Sequence, residues 1–433
     1  MNKSYEVIVG GAGIAGMSMA LALKKKGIDV AIIAPKYQAK ANLGQQYHPR
    51  IYAISLASQQ LFESLGIWSM LPSERLTAVQ AMQVFGDLDG AIHLNAYSSA
   101  QNQLAWIVES GEIEAALQNA LRFLSVPWID ASIQDMKRTE VATSQASGNL
   151  HTRSTTGSTA ARTGLSLKSG SGNDAFAQKP MRVIASNGEH YQAELLIGAD
   201  GAGSVLRQAS GIKHQARSYE ASGLVAQLNV ELPHQNSAYQ WFTDEGILAF
   251  LPLPDTDDGH QVSMVWSAPD AIAQTMKQLP ADELARELPL RLAQLSRGHL
   301  GEVSLRSPMF SFPLTIEQTD WVAPGVALVG DAAHRLHPLA GQGLNLGLGD
   351  VASLSQILAE KESFRSYGDL RVLQRYQRAR IPAMLEMKMA TDGLFRLFHQ
   401  RLPGLAIVRN LGMRLSDKLP PLKRFLIQKA TGL

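Results

Sequence analysis

The chain contains no cysteine among its 433 residues. That excludes disulfides, thiolate metal sites and any cofactor attached through a cysteine. Aromatic residues are scarce at 6%, so each tryptophan or phenylalanine in an apolar run is a candidate for a core or a cavity wall. No segment approaches the roughly 18 uninterrupted apolar residues of a membrane span. No signal-peptide pattern stands at the start, because Glu6 and a glycine turn interrupt the first apolar run. A cytoplasmic chain is therefore expected. The G-x-S-x-G elbow of serine hydrolases is also missing. What remains is a chain 45% hydrophobic, long enough for two or three domains with a large core.

Against these absences stand three turns, far apart, that combine glycine with or without an acid. The first follows an expected strand, Tyr5 to Val9, and places Gly11, Gly13 and Gly16 in G-x-G-x-x-G spacing before an expected helix, Met17 to Lys26, and a second strand, Val30 to Ile33. Glycine there permits a tight turn, close approach of a pyrophosphate, and close helix–strand packing. This strand–turn–helix–strand context points to a dinucleotide site. The acid expected ~20 residues on, which would bind a ribose hydroxyl, is missing: Ala34 stands at the end of the second strand, followed by Pro35 and Lys36. The ribose contact must then come from elsewhere, and Lys36 reads as a solvated loop lysine rather than a 2′-phosphate ligand.

The second turn, Gly198-Ala199-Asp200-Gly201, ends an apolar run, Leu195 to Ile197, and opens a helix. An Asp-Gly turn alone is common. The third is the most informative. Val326 to Val329 reads as a buried strand, and it leads into Gly330-Asp331-Ala332-Ala333-His334, then Pro338 and Gly341-Gln342-Gly343-Leu344-Asn345. A carboxylate at a strand end can accept a hydrogen bond from a ribitol or ribose hydroxyl. The helix start that follows has unpaired N–H groups and favours developing negative charge, such as that of a reduced flavin ring. The competing reading of Asp331 is a helix cap. His334 and His337 are three apart, but the segment reads as a turn with no third ligand nearby, so no metal site is expected.

The order of these three motifs resembles the flavoprotein aromatic hydroxylases, the para-hydroxybenzoate-hydroxylase-like FAD monooxygenases. Finer runs are similar to their ubiquinone-biosynthesis branch (UbiH, UbiF, VisC type): Arg50 to Ser55, Leu65 to Trp68, Trp106 to Glu109, Ala249 to Leu253, Arg375-Tyr376-Gln377-x-x-Arg380 and the closing Ala430 to Leu433. The resemblance spans nearly the whole chain apart from about residues 140–180.

It implies an α/β fold: a Rossmann-like FAD-binding domain of the GR2 type, an inserted mixed-sheet substrate domain and C-terminal helices. The FAD domain would take residues 1–75, 106–205 and 311–360. The substrate sheet would take 76–105 and 206–310, and a basic helical region 361–433. FAD and NAD(P)H are the implied cofactors. Hydroxylation would proceed through a flavin C4a-hydroperoxide on a polyprenylphenol or benzoquinol, a lipophilic aromatic substrate. Gly11, Gly13, Gly16, Arg50, Asp200, Gly201, Gly330, Asp331, Leu344 and Asn345 would bind the cofactor. Pro338 would lie beside the isoalloxazine ring, with Gly341, Gln342 and Gly343 stabilising its reduced form. The family often has an acid two residues before the arginine at position 50; here His48-Pro49 precedes it, so that local pairing is not expected, and the competing reading of Arg50 is a surface ion pair. A hydroxylase of a small soluble aromatic acid, a flavin reductase or oxidase of prenyl chains, and a catalytically silent flavin-binding assembly subunit stay open as alternatives.

A net charge of +2 hides an asymmetry. From Arg365 onward there are 14 Lys/Arg and 4 Asp/Glu, so this tail carries +10 and the preceding chain −8. Apolar residues recur in the tail at helical spacing. One reading is a helical segment packed on the core. The other is a basic amphipathic surface, residues 365–433, touching anionic lipid at the inner membrane or a quinone-synthesis complex. No nucleic-acid motif accompanies the basic residues. Residues 142–173 are Ser, Thr or Gly at 18 of 32 positions, the composition of a mobile surface insertion. Helices are expected over 58–66, 109–124 and 280–300, and strands over 223–230, 246–252 and 261–267. Trp241, Phe242, Phe250 and Trp266 are candidates for either core or substrate wall.

Overall fold

A computed structural model describes residues 3–41, 43–138, 180–336, 342–399, 410, 413, 417 and 419–432. The expected insertion lies almost wholly outside these residues, as do His337, Pro338 and Gly341. The described helices are α1 (Ile14–Lys25), α2 (Leu56–Leu65), α3 (Ser110–Phe123), α4 (Val205–Ala209), α5 (Asp270–Gln278), α6 (Ala281–Leu295), α7 (Gly343–Ala359), α8 (Leu370–His399) and α9 (Pro420–Thr431).

A largely parallel sheet orders the strands Val322–Ala323, Val326–Leu328, His190–Gly198, Lys3–Gly10, Val30–Ile33 and Trp128–Ile129 side by side. Its central strands are continuous apolar runs, and Val7 to Val9, Val30 to Ile33 and Leu195 to Ile197 are all buried. Such runs have no polar side to show to water, so both faces of a parallel sheet must be covered. Helix α1 packs with α3 and α7 over it. This helix begins at Ile14, three residues before Met17 where the apolar pattern suggested, because Gly13 itself takes the extended N-cap position. Helix α2 likewise starts earlier than expected, at Leu56, since Ser55 caps it by accepting from the Ser58 N–H, and Gly66 closes it at φ +77°.

The second large sheet is mixed. It orders His334–Arg335, Phe310–Thr319, His214–Val230, His260–Pro269, Gly246–Pro252, Ser237–Thr243, Ala81–Phe85 and Ala91–Asn95. All neighbours pair antiparallel except Ser237–Thr243 with Ala81–Phe85. A small sheet of Ile51–Ser55, Ala105–Glu109 and Thr77–Val79 stands apart. The expected helix over 280–300 is shorter, ending at Leu295, and carries Pro289 inside it. A separate helix, α5, precedes it. The strands Ser237–Thr243 and Phe310–Thr319 escaped the sequence reading: the first mixes Gln240 and Thr243 with aromatics, and Pro313 interrupts the second.

Paired residues across antiparallel strands share a face. Leu224, Trp266, Leu248 and Trp241 are therefore on one face, joined by Met264, Phe250 and Tyr239, and they form a core with Ala273 and Met276 of α5 and Leu288 and Leu292 of α6. Trp241, Phe250 and Trp266 are thus core residues. Phe242 belongs to the opposite face, packed with Ile247 and Val84.

Candidate functional site

The three glycine motifs, nearly the whole chain apart in sequence, meet at the ends of the parallel strands. Gly11 has φ +108°, and a Cβ there would lie 2.3 Å from the Ala199 carbonyl oxygen, so this turn can press directly on the second motif only as glycine. The Ala199 N–H donates to the Gly10 carbonyl at 2.8 Å. Gly330, at φ +60°, lies between Ala15 of α1 and Gly347 of α7. Arg207, buried on α4, donates to the Ala332 carbonyl at 3.0 Å and so ties the second motif to the third. Each motif touches the other two.

Around this junction the groups left open are those a phosphate- and hydroxyl-bearing ligand would use. No side chain caps the start of α1, no acid lies in its first turn, and a Cβ on Gly13 would meet nothing within 4 Å. An uncapped helix start beside open space is an anion seat. Asp200 caps α4 through Oδ2, accepting from the Val205 N–H at 2.8 Å, while its Oδ1 is buried with no partner among the described residues. Gly201 follows at φ +79°. Asp331 is exposed, and its carboxylate has no hydrogen bond or ion pair among the described residues, so it is not a helix cap. At the start of α7, Gln342 occupies the N-cap position without a side-chain cap and Gly343 is exposed.

Arg50 is exposed at the entry to the strand Ile51–Ser55. It comes together with Asp331 at Tyr52, whose phenol is pushed up by burial, pulled down by the Arg50 guanidinium and raised by the Asp331 carboxylate. Leu344 packs on the main core. The Asn345 side chain is engaged by backbone: its Oδ1 accepts from the Ser55 N–H at 3.0 Å, and its Nδ2 donates to the Ala53 carbonyl at 2.8 Å. That clamp fixes α7 against the strand carrying Arg50 and Tyr52.

The sequence reading missed the groups that hold the third motif. Asp350 of α7 is fully buried. Its Oδ2 accepts from the Gly330 N–H at 3.0 Å and lies 2.7 Å from His334 Nε2, and its Oδ1 accepts from Arg380 Nε at 2.9 Å. Burial pushes the Asp350 carboxyl up, but His334 and Arg380 outweigh it and hold the group below the ordinary aspartate value. His334 therefore serves the turn. The Tyr376 hydroxyl donates to the Leu328 carbonyl at 2.9 Å, bracing the preceding strand. A lone acid within the apolar run Leu346 to Val351 was the available signal.

The other face of the mixed sheet is half-exposed and is tied to the segment before Arg50. Gln227, on that face, donates through Nε2 to the His48 carbonyl at 3.0 Å, two residues before Arg50. Beside it Val225, Val265 and Ala249 are half-buried, and Phe310 and Phe312 are exposed at its edge. From the small sheet, Glu109 accepts from the His48 N–H at 2.6 Å and pairs with Arg75.

The open α1 start, the unpartnered Asp200 oxygen and the free Asp331 carboxylate fit FAD, which brings a pyrophosphate and two hydroxylated sugars. The FAD-binding-domain family profile matches residues 4–391. A ubiquinone hydroxylase of Rhodospirillum rubrum is 31% identical over 433 residues, spanning 100% of this chain and 90% of that protein. The 3-demethoxyubiquinol 3-hydroxylase of Escherichia coli is 31% identical over 439 residues, spanning all of both chains. Among solved structures, the p-nitrophenol 4-monooxygenase of Pseudomonas putida shares the fold, with a TM-score of 0.73 at 16% identity over 100% of this chain and 99% of that one. This chain belongs to the FAD-binding-domain family and is an FAD-dependent monooxygenase of the ubiquinone-hydroxylase type.

Proposed function

We propose that this chain hydroxylates the aromatic ring of a polyprenylated phenol or benzoquinol in ubiquinone biosynthesis, using O2 and electrons from NAD(P)H. The observation that carries this is the Asp331 carboxylate, exposed and without a partner among the described residues, next to Gly330, which packs on Gly347 of the uncapped helix α7. Relatives 31% identical over their full or nearly full length act, by their names, on ubiquinone or demethoxyubiquinol.

FAD, when bound, supplies the redox chemistry that lets dioxygen attack a closed-shell ring. The chain's own work is binding, orientation and exclusion of water. In this reading Gly11, Gly13 and Gly16 leave room for the pyrophosphate at the α1 start, and Asp200 and Gly201 flank it. Gly330 sets the turn from which Asp331 accepts a ribityl hydroxyl, and Arg50 meets the cofactor from the facing strand. The first-turn N–H groups of α7, from Gly343 through Leu344 and Asn345, stabilise negative charge on the reduced ring. Gln342 would act with them, and Pro338 and Gly341, which lie outside the described residues, keep the roles that the family resemblance implies, beside the ring and toward its reduced form. Val225, Val265, Ala249, Phe310 and Phe312 form an apolar wall for the ring and its tail. The division into an FAD domain (1–75, 106–205, 311–360), a substrate sheet (76–105, 206–310) and a basic tail (361–433) is part of the same proposal, corrected in that Phe310–Thr319 and His334–Arg335 pair within the mixed sheet and go with it.

The test is quinone-intermediate profiling by mass spectrometry in a strain lacking the chain, complemented with wild type or Asp331→Ala. A polyprenyl intermediate short of one hydroxyl should accumulate and be cleared only by wild type. Normal quinone in the deleted strain overturns the substrate assignment.

Peripheral membrane contact also belongs to this proposal. No described helix is long and apolar enough to cross a membrane. Ile381, Leu385 and Met389 are exposed at successive four-residue steps along α8, within the basic tail. Replacing all three with serine should cut sedimentation with anionic vesicles several-fold without changing FAD content. Unchanged sedimentation removes this contact.

A further inference from the structure

The first glycine motif lacks the acid that its second strand normally supplies, and Ala34 cannot substitute for it. Its N–H donates to the Ile129 carbonyl at 3.2 Å, and its carbonyl accepts from Trp128 Nε1 at 3.0 Å. The next available backbone donor, Lys36 N–H, is taken by Asp130 at 2.8 Å. The strand end therefore offers no side-chain acceptor and few free backbone groups.

Three residues beyond Ala34 the chain doubles back toward the glycine turn. The Tyr37 hydroxyl lies 3.1 Å from the Ala12 carbonyl, inside the Gly11–Gly13 turn, and 3.1 Å from Glu114 Oε2 on α3. Tyr37 is fixed from behind as well. Gln118, one turn further along α3, donates to the Tyr37 carbonyl at 3.1 Å and accepts from the Ala39 N–H at 3.2 Å. A phenol has one proton, so it can satisfy Ala12 and Glu114 only alternately. The Glu114 carboxylate keeps its second oxygen without a partner among the described residues. It is partly exposed beside the turn that seats the pyrophosphate.

We propose that Glu114, held in place by Tyr37, supplies from α3 the acceptor for the adenosine ribose 2′-hydroxyl of FAD that a β-strand acid supplies in the usual dinucleotide motif. This rests on the reading that FAD occupies the junction of the three motifs. The carboxylate would reach the sugar from the neighbouring helix instead of from the strand end, and Tyr37, held beside the glycine turn, orients it when its one proton is given to Glu114.

The test is a cycle of two changes on the apoprotein, read as FAD dissociation constants from flavin fluorescence quenching. One change is Glu114→Gln, and the other is an FAD analogue lacking the adenosine 2′-hydroxyl. Each alone should weaken binding about ten-fold, the value of one hydrogen bond to a charged group. Together they should cost little more than either alone, because both act on the same charge-assisted hydrogen bond: glutamine leaves only a neutral acceptor, and the analogue has no hydroxyl to give. Losses that multiply, or an FAD affinity of Glu114→Gln within two-fold of wild type, overturn the proposal. Asp331→Ala run in parallel separates the two readings. If it leaves FAD binding intact, the assignment of the junction fails. If it weakens binding while Glu114→Gln does not, only the role of Glu114 fails.

Discussion

In the parallel sheet, Val7 to Val9 and Leu195 to Ile197 are buried on both faces, whereas the mixed sheet buries Leu224, Leu248 and Trp266 on one face and leaves Val225, Val265 and Ala249 half-exposed on the other. A sheet closed on both faces can receive a ligand only at its strand ends, where turns replace side chains and helix starts are unpaired. A sheet closed on one face can receive a ligand across the other. The polar cofactor fits the first geometry and a lipophilic ring fits the second. The segment 44–50 joins the mixed sheet to the small one, since His48 is bonded by Gln227 from the first and by Glu109 from the second.

The largest effects should come from breaking the closed parts of each unit. Asp350→Ala leaves His334 and Arg380 without their shared buried carboxylate, and removing one partner of a buried ion pair costs about 3–5 kcal/mol. Thermal or denaturant unfolding measures it, and a loss below about 1 kcal/mol would mean the turn is held by packing alone. The pH dependence has a definite sign. A carboxyl held below its unfolded value contributes stability above the ordinary aspartate range, about 3.9, and loses it as pH falls through the lower folded value. The stability gap between wild type and Asp350→Asn should therefore be widest near neutrality and close in acid. Trp266→Ala on the helix-packed face should cost a similar 3–5 kcal/mol or so, with bound FAD retaining its visible spectrum until the protein unfolds. Loss of flavin at temperatures where the fold persists would show that the two units are not separable.

A middle-sized effect should separate ligand from fold. Asp331→Ala removes an exposed, unpartnered carboxylate, so the apoprotein's melting temperature should barely move. FAD affinity should fall about ten- to hundred-fold, as expected for a hydrogen bond to a charged group. A melting point lowered as much as in Asp350→Ala would assign Asp331 to the fold instead. The smallest effect belongs to the open face. The Phe312 ring covers Gly223, where a Cβ would lie 2.6 Å from it, and it is 40% exposed. Phe312→Ala should raise KM for a long-tailed substrate about five-fold through lost apolar contact, with FAD affinity unchanged. Equal KM for tailed and tailless substrates would remove Phe312 from the substrate wall.

Much of the nucleotide unit was legible because its signals are local. The strand at Val30–Ile33 and the glycine turns were read close to their observed positions, since apolar runs and glycine spacing act within a few residues. The mixed sheet was read in part. Gly246–Pro252 matched the reading, but Ser237–Thr243 and α5 did not announce themselves, because their residues are stabilised by neighbours distant in sequence. Among the aromatic candidates, periodicity could not separate core from wall. Trp241 and Phe242 are adjacent, and only the pairing of their strand decided that the first faces the helices and the second the other side.

The sequence alone determined the family resemblance, the cofactor class and the identity of Asp331 as an acid at a strand end, because glycine spacing and strand–turn order are properties of the chain itself. Only the tertiary structure decided what surrounds that acid. Asp331 and Asp350 are both acids in or next to the same motif, yet one is exposed with no partner among the described residues and the other is buried under three. Tyr37 and Glu114 meet across 77 positions, and no local pattern encodes a contact between side chains that far apart. Burial and partnership are set by which elements pack together, and that is fixed by the whole fold.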